Sequence, residues 1–558
     1  MKSLFLSLRD KLRSIQKKWN VGCYQIIVVF LALIFIGTPI IQFLSTQDLR
    51  TNQAGQPVSE AYNLGLQAYQ EGDFTSAIEH FNQAAEEEQD RPDIYLYLGR
   101  AHYDAGNFTK AKSNLDQAID LNADHQQAYI YRALTHIQLD NAESALQDVE
   151  RAADLGVETA QEYYQIGAAY AQLEQNEKAL QALDQAIAMN DLLVEAYRTR
   201  ANIYLRMEEY SKAVDDYNQV LQSEPETIPA RFQRGVAYFE LGETEQAVDD
   251  WSAVIASQPG HINARFNRGI AYNQLGRYDK AIEDLRLYMV LTDENAAALN
   301  NRGQAYLSLG EIEKAIQDFS LAIELEPDNS QAHYNLGNAY YQQGQYQEAR
   351  DSYRRAVDLR EDFVDARHNL GLSLIHLEEP APALEQFERI VELSPQMTSA
   401  HFNLARSLRS LGREDEAIQS LSQLLDIDPG FTSAYLERGQ IYLNQGEFEQ
   451  AAQDFSRAVG LEPENPQPYF RLGNVHYQQE EYEEARETYL HAIDLQDDFV
   501  DARHNLGLAL IRLEEYELAL EQFDAVLDIS PDMTSAHYNR ARVLQSLGSV
   551  DEAVETYT

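Results

Sequence analysis

From residue 58 onward the chain repeats itself every 34 residues without an insertion. A Gly or Ala marks the phase at 65, 99, 133, 167, 201, 235, 269, 303, 337, 371, 405, 439, 473, 507 and 541, giving fifteen copies. Twelve residues after every marker stands alanine, from Ala77 to Ala553, and sixteen after it an apolar or aromatic residue such as Phe81, Trp251 or Tyr353. Two antiparallel helices per repeat account for this pattern: the small residues lie where the helix backbones approach most closely. Gly72, Gly106, Gly242, Gly276, Gly310, Gly344, Gly412, Gly446 and Gly548 fall where the first helix must end in a left-handed residue. Pro225, Pro259, Pro327, Pro395, Pro429, Pro463 and Pro531 share a later phase, where they stop the second helix. One helix pair cannot bury its apolar face alone, so the pairs must stack into a continuous core.

The segment from Ala332 to Ala349, followed by Tyr353 and Ala356, resembles the tetratricopeptide repeat signature, and the resemblance extends over residues 58–558. It implies an all-α, right-handed superhelical solenoid of about fifteen 34-residue helix-turn-helix repeats whose first helices line a concave groove. Ala133, Ala201, Ala405 and Ala541 replace the marker glycine, and Pro380 with Pro382 is expected to disturb one inter-helix turn. Residues 296–422 and 432–558 match at an offset of 136, four repeats, so the carboxyl-terminal half is expected to carry two related binding surfaces. The last repeat stops at Thr558 inside its second helix without a polar capping element. Such an end is expected either to continue in a longer chain or to be covered by a partner.

The amino-terminal residues follow another logic. Residues 21–44 carry no charge and include the apolar run Ile26 to Ile36, long enough to cross a bilayer. Before them stand Lys2, Arg9, Lys11, Arg13, Lys17 and Lys18 against Asp10 alone, and no comparable basic cluster follows. The positive-inside bias therefore puts the amino terminus in the cytoplasm and the repeats outside, in a single-pass protein of the cell (inner) membrane with an extracytoplasmic or periplasmic array. Leu4, Leu8, Leu12, Ile15 and Trp19 recur at helical spacing, as in an amphipathic helix on the inner leaflet. No small-x-small cleavage site follows at Phe43 to Thr46. The organisation read from the sequence is a basic segment at 1–20, a transmembrane anchor at 21–44, a linker at 45–57 and the repeat array at 58–558.

The charge balance narrows the partners. With 90 acidic against 44 basic side chains the net charge is −46, which repels nucleic acid. The single cysteine, Cys23, permits no internal disulfide and no cysteine-based metal cluster. Phosphate loops, paired-histidine zinc motifs and serine elbows are absent from the sequence. His368, His376 and His401 lie in neighbouring repeats and read as groove-lining or packing residues rather than a metal site. Carboxylate couples such as Asp215 with Asp216 and Asp249 with Asp250 read as solvated faces rather than acid/base pairs. The expectation is a scaffold or adaptor binding extended segments of other proteins, with no catalytic residue, metal or cofactor. The alternative is the substrate-recruiting part of a larger enzyme, since the repeats resemble those of O-linked N-acetylglucosamine transferases.

Two regularities point to particular side chains. Immediately before the marker most repeats carry Leu or Ile, but seven carry Arg, and in six of these an Asp follows sixteen residues later. The pairs are Arg132 with Asp148, Arg200 with Asp216, Arg234 with Asp250, Arg268 with Asp284, Arg302 with Asp318 and Arg438 with Asp454; Arg540 stands opposite Thr556. Each pair is expected to form an ion pair between the two helices of its repeat. Two residues before the marker stand Asn267, Asn301, Asn335, Asn369 and Asn403 in consecutive repeats, with Asn505 and Asn539 further on. By the transferase resemblance, amides at this place form a ladder that grips a bound peptide's backbone, for which a primary amide supplies both donors and acceptors.

Overall fold

The computed structural model describes residues 59–292, 295–549 and 551–553. The basic segment, the anchor at 21–44 and most of the linker lie outside the described residues. Among the described residues all regular structure is helical, in 29 α-helices, and no helix is long and apolar enough to cross a membrane. Helices of about three and a half turns alternate, as in Ile262–Gln274 followed by Tyr278–Leu291, or Pro466–Gln478 followed by Tyr482–Leu495. They divide into two compact units, residues 1–309 and 310–558. Within each unit every helix packs against the next one in sequence, the arrangement of a solenoid.

The core of each unit is a row of side chains sixteen residues after the markers. Phe81, Leu115, Tyr217 and Trp251 are fully buried in the first unit, as are Tyr353, Phe387, Phe455 and Tyr489 in the second. Each lies directly over the marker of its own repeat. A Cβ placed on Gly371 would come within 2.5 Å of the Phe387 ring, and one on Gly473 within 2.6 Å of the Tyr489 ring. The alanines twelve residues after the markers are likewise without exposure, as at Ala349 and Ala485. The 34-residue period is thus the spacing of one repeated close approach between helices.

The turn between the helices uses a left-handed residue in every described repeat, whether or not glycine is there. Gly344 has φ 75° and Gly446 φ 80°; at the same phase Asp140, Glu174, Glu208, Glu378, Glu480 and Glu514 have φ between 56° and 64°. Six repeats therefore hold a side chain where the backbone favours glycine. The turn before Pro380 is one of these and is not disturbed. Pro380 occupies the first position of the helix Pro380–Leu393, where its missing N–H has no intrahelical partner to lose, while Glu378 turns the chain with φ 58°.

Two substitutions separate these effects. Gly371→Ala should destabilise the chain by about 1–3 kcal/mol through overpacking against Phe387. Glu480→Gly should stabilise it by about 1 kcal/mol by relieving the left-handed strain. Urea unfolding of the purified chain followed by circular dichroism reads both signs.

Candidate partner-binding site

The seven asparagines lie in first helices, but their amides do not stand free on an exposed face. Asn335, Asn403 and Asn539 are buried at 4%, 7% and 7% exposure, and Asn267, Asn301, Asn369 and Asn505 are half-buried. Asn301 donates to the Ala297 carbonyl of its own helix at 2.8 Å. Asn335 accepts from Gln331 at 3.2 Å, Asn403 meets the His368 ring at 3.3 Å, and Asn539 accepts from Arg542 at 3.5 Å. Asn369 and Asn505 reach the preceding repeat: their Nδ2 groups donate to Asn338 Oδ1 at 3.0 Å and to Asn474 Oδ1 at 2.8 Å. These amides spend part of their capacity within their own helix or on a neighbouring one, and the structure gives no uniform ladder.

What it gives instead is a local opening. In the second unit an open notch of about 680 Å3 lies between the helices Thr432–Gln445, Pro466–Gln478 and Val500–Arg512. Asn474 and Asn505 both line it. The Tyr489 ring, fully buried, sends its hydroxyl to Asn474 Oδ1 at 2.8 Å, and the same oxygen receives Asn505. Asn474 Nδ2 and Asn505 Oδ1 have no protein partner among the described residues. Burial holds the Tyr489 hydroxyl well above its ordinary pKa, so it remains a neutral hydrogen-bonding group. The sequence reading missed Asn474, which stands one residue after the marker rather than two before it.

The arginines before the markers lie between helices. Arg132, Arg200, Arg234, Arg268 and Arg438 each grip the aspartate sixteen residues later with two donors, Nε and a terminal nitrogen, at 2.6 to 2.8 Å. The carboxylates of Asp148, Asp216, Asp250, Asp284 and Asp454 are buried at 3–5% exposure. Asp216 and Asp250 are therefore not solvated, whereas their neighbours Asp215 and Asp249 are exposed. The third guanidinium nitrogen reaches back sixteen residues to the second helix of the preceding repeat. Its acceptors are Asp116, Asp184, Asn218, Ser252 and Ser422, at 2.6 to 3.0 Å. Arg540, whose forward position is Thr556 outside the described residues, pairs backward with Asp524 at 2.5 Å. Arg302 belongs to the first unit and Asp318, buried at 4% exposure, to the second. Hydrogen bonds that it donates to Asp216 and Asp184 hold the Arg200 guanidinium above its ordinary pKa, so this stitch stays ionised.

The histidines have packing partners. His401, buried at 3%, lies 3.0 Å from the Pro395 carbonyl, and His333 and His537 meet Pro327 and Pro531 in the same way. Arg231 and Arg265 donate to Pro225 and Pro259 at this phase, so in these five repeats one side chain caps the end of the previous second helix. His376 stacks on the Tyr346 ring at 4.2 Å. Among the described residues no group of three or more His, Cys, Asp or Glu side chains is placed to hold a metal ion.

Stacked hairpins with a small residue beneath each core ring define a helical-repeat protein. Tetratricopeptide repeat models match residues 68–129, 160–191, 194–227, 232–296, 368–430, 436–498 and 504–558, and TPR repeat models match 303–344 and 337–375. The chain belongs to the tetratricopeptide repeat family, whose fold generally mediates protein–protein interaction. It is similar to the Cut9-Hcn1 hetero-tetramer of the APC/C, at 16% identity and TM-score 0.33 over 86% of this chain and 95% of that one. It is also similar to the C-terminal part of a TPR repeat-containing protein from Cytophaga hutchinsonii, at 18% identity and TM-score 0.39 over 43% and 99%. YrrB, described as a TPR protein with an unusual peptide-binding site, is 26% identical with TM-score 0.28 over 40% and 98%. No curated protein matches the chain.

The arginine stitches make a prediction with a built-in control. Arg438→Leu strands the Asp454 carboxylate in a buried place and should destabilise the chain by roughly 3 kcal/mol. Arg438→Leu with Asp454→Ser copies the combination found at Leu336 and Ser352, and should recover most of that loss. Thermal unfolding of both variants checks the order, and equal losses would show that Asp454 does not need its partner.

Proposed function

We propose that this chain is a non-catalytic adaptor, anchored in the cell membrane by residues 21–44, that holds extended segments of partner proteins against the first helices of its extracytoplasmic repeats. The binding half rests on one observation above all. In the second unit a notch along the first helices exposes Asn474 and Asn505, each with hydrogen-bonding capacity that the fold leaves unused. Amides left in that state can pair with the amide groups of a bound segment, as donor and as acceptor. The anchoring half rests on the uncharged stretch 21–44 behind six basic residues. The net charge of −46 favours segments that are neutral or basic over acidic ones.

Two experiments test the halves separately. Protease added to intact spheroplasts should digest the repeats; protection until the membrane is permeabilised would reverse the orientation. A photo-crosslinking residue at Gln478 in the notch should give discrete adducts with other proteins in intact cells. The same residue at exposed Asp249, on a second helix, should give none. Equal labelling at the two positions would remove the first-helix surface as the binding face.

A further inference from the structure

We infer that the notch at Asn474 is a station for an uncharged, carboxamide-bearing residue of the bound segment, an inference that rests on the peptide-binding reading above. Although 24% of the chain is charged, none of the residues lining the notch is. Five of them are side-chain amides: Asn444, Gln445, Asn474, Gln478 and Asn505. Tyr477 and Phe448 add flat aromatic surface beside them. A charged side chain entering here finds no counter-charge among the lining residues, whereas a neutral amide finds both donors and acceptors.

The amides are also held in place. Asn474 Oδ1 takes both the Tyr489 hydroxyl and the Asn505 amide at 2.8 Å, which fixes the planes of both side chains. What remains toward the notch is one N–H donor group and one carbonyl acceptor, the complement of a primary carboxamide. Packing alone does not call for the hydroxyl, because Phe387, Phe455 and Phe523 fill the same core place with no exposure.

The pairing recurs with a longer period than the repeat. Asn stands one residue after the marker only at 202, 338 and 474, which are 136 residues apart. Each of those repeats, and no other described one, has Tyr at the core place: Tyr217, Tyr353 and Tyr489. Tyr557, at the same phase of the last repeat, lies outside the described residues. The hydroxyl reaches the asparagine at 2.6, 2.7 and 2.8 Å respectively. The second amide is supplied by Asn369 and Asn505 in the second unit, while Gln233 stands at that phase in the first. A tyrosine that orients an asparagine every fourth repeat is a specified feature, and in the second unit it makes two copies of one recognition element.

The test uses detergent-solubilised full-length chain and fluorescein-labelled ten-residue peptides of Ser, Thr and Val with a central Gln, Glu or Lys. Measurements are made at about 1 M salt, where the screening length falls to about 3 Å and the pull of the acidic array on Lys is suppressed. The Gln peptide should bind at least tenfold more tightly than the others and should slow hydrogen exchange in residues 466–478 and 500–512. Asn474→Leu with Tyr489→Phe copies the Leu508 and Phe523 combination of the next repeat. This variant should unfold at the wild-type temperature yet lose the preference for Gln. Unchanged preference in the variant, or protection only at other first helices, overturns the station while leaving the adaptor reading standing. Protection of the notch by maltohexaose and not by peptide overturns it in favour of a carbohydrate. Absence of peptide binding anywhere on the chain overturns both readings.

Discussion

The repeat array depends on two helix backbones coming close enough that nothing larger than a methyl group fits between them. At the described glycine markers the space a Cβ would need is taken by a ring or branched chain from the second helix, as Phe387 takes it over Gly371. That contact fixes the crossing of the hairpin, and the crossing fixes which residues of the first helix look inward to the next repeat. Burial then follows a rule of position: ring or branched chain over marker, alanine beside it and a left-handed turn at one end. Because every hairpin obeys the same constraint, departures from the apolar pattern stand out as additions to the fold rather than conditions of it.

Two such departures are polar. The arginines carry a charge into the helix interface and satisfy it on three sides, with two bonds forward and one back. Asn474, one residue after its marker, carries an amide to the same layer and satisfies only its oxygen, leaving the rest for the notch. The first device is closed, with every guanidinium nitrogen occupied, and belongs to the architecture. The second is open on one side. Leaving part of a polar group unpaired next to solvent costs little until a ligand arrives, and then decides which ligand is accepted.

How much of this could be read from residues alone depended on whether the relevant neighbour lay in the same repeat. The helix pairs, the small markers and the Arg-to-Asp spacing are relations within one hairpin, so a comparison of repeats brings them out. The backward bonds of the arginines to Asp116, Asp184 and Ser252 join one hairpin to the previous one, and an alignment of repeats in phase conceals them. The asparagines two residues before the marker show the same limit. Periodicity places Asn335 and Asn403 on the first helix correctly, but it does not show that they are buried there, at 4% and 7% exposure. The Glu480 type of turn was hidden for another reason: glycine signals a left-handed residue, yet the stacked hairpins impose that conformation on glutamate as well.

The backward arginine bond changes what kind of material the array is. An apolar seam such as that around Leu370 or Leu404 resists separation but has little preference between neighbouring alignments, so hairpins joined by it can shear slightly under load. A guanidinium that must reach Asp116 on one side and Asp148 on the other tolerates no such slip. Four of these clasps, at Arg132, Arg200, Arg234 and Arg268, fall in the first unit, and those described in the second are at Arg438 and Arg540. In the second-unit hairpins around residues 336–404 the residue before the marker is leucine, and neighbouring repeats are joined by lighter amide contacts, Asn369 to Asn338 and Asn403 to His368. The protein thus has a stiff length and a compliant length, set by which residue precedes each marker.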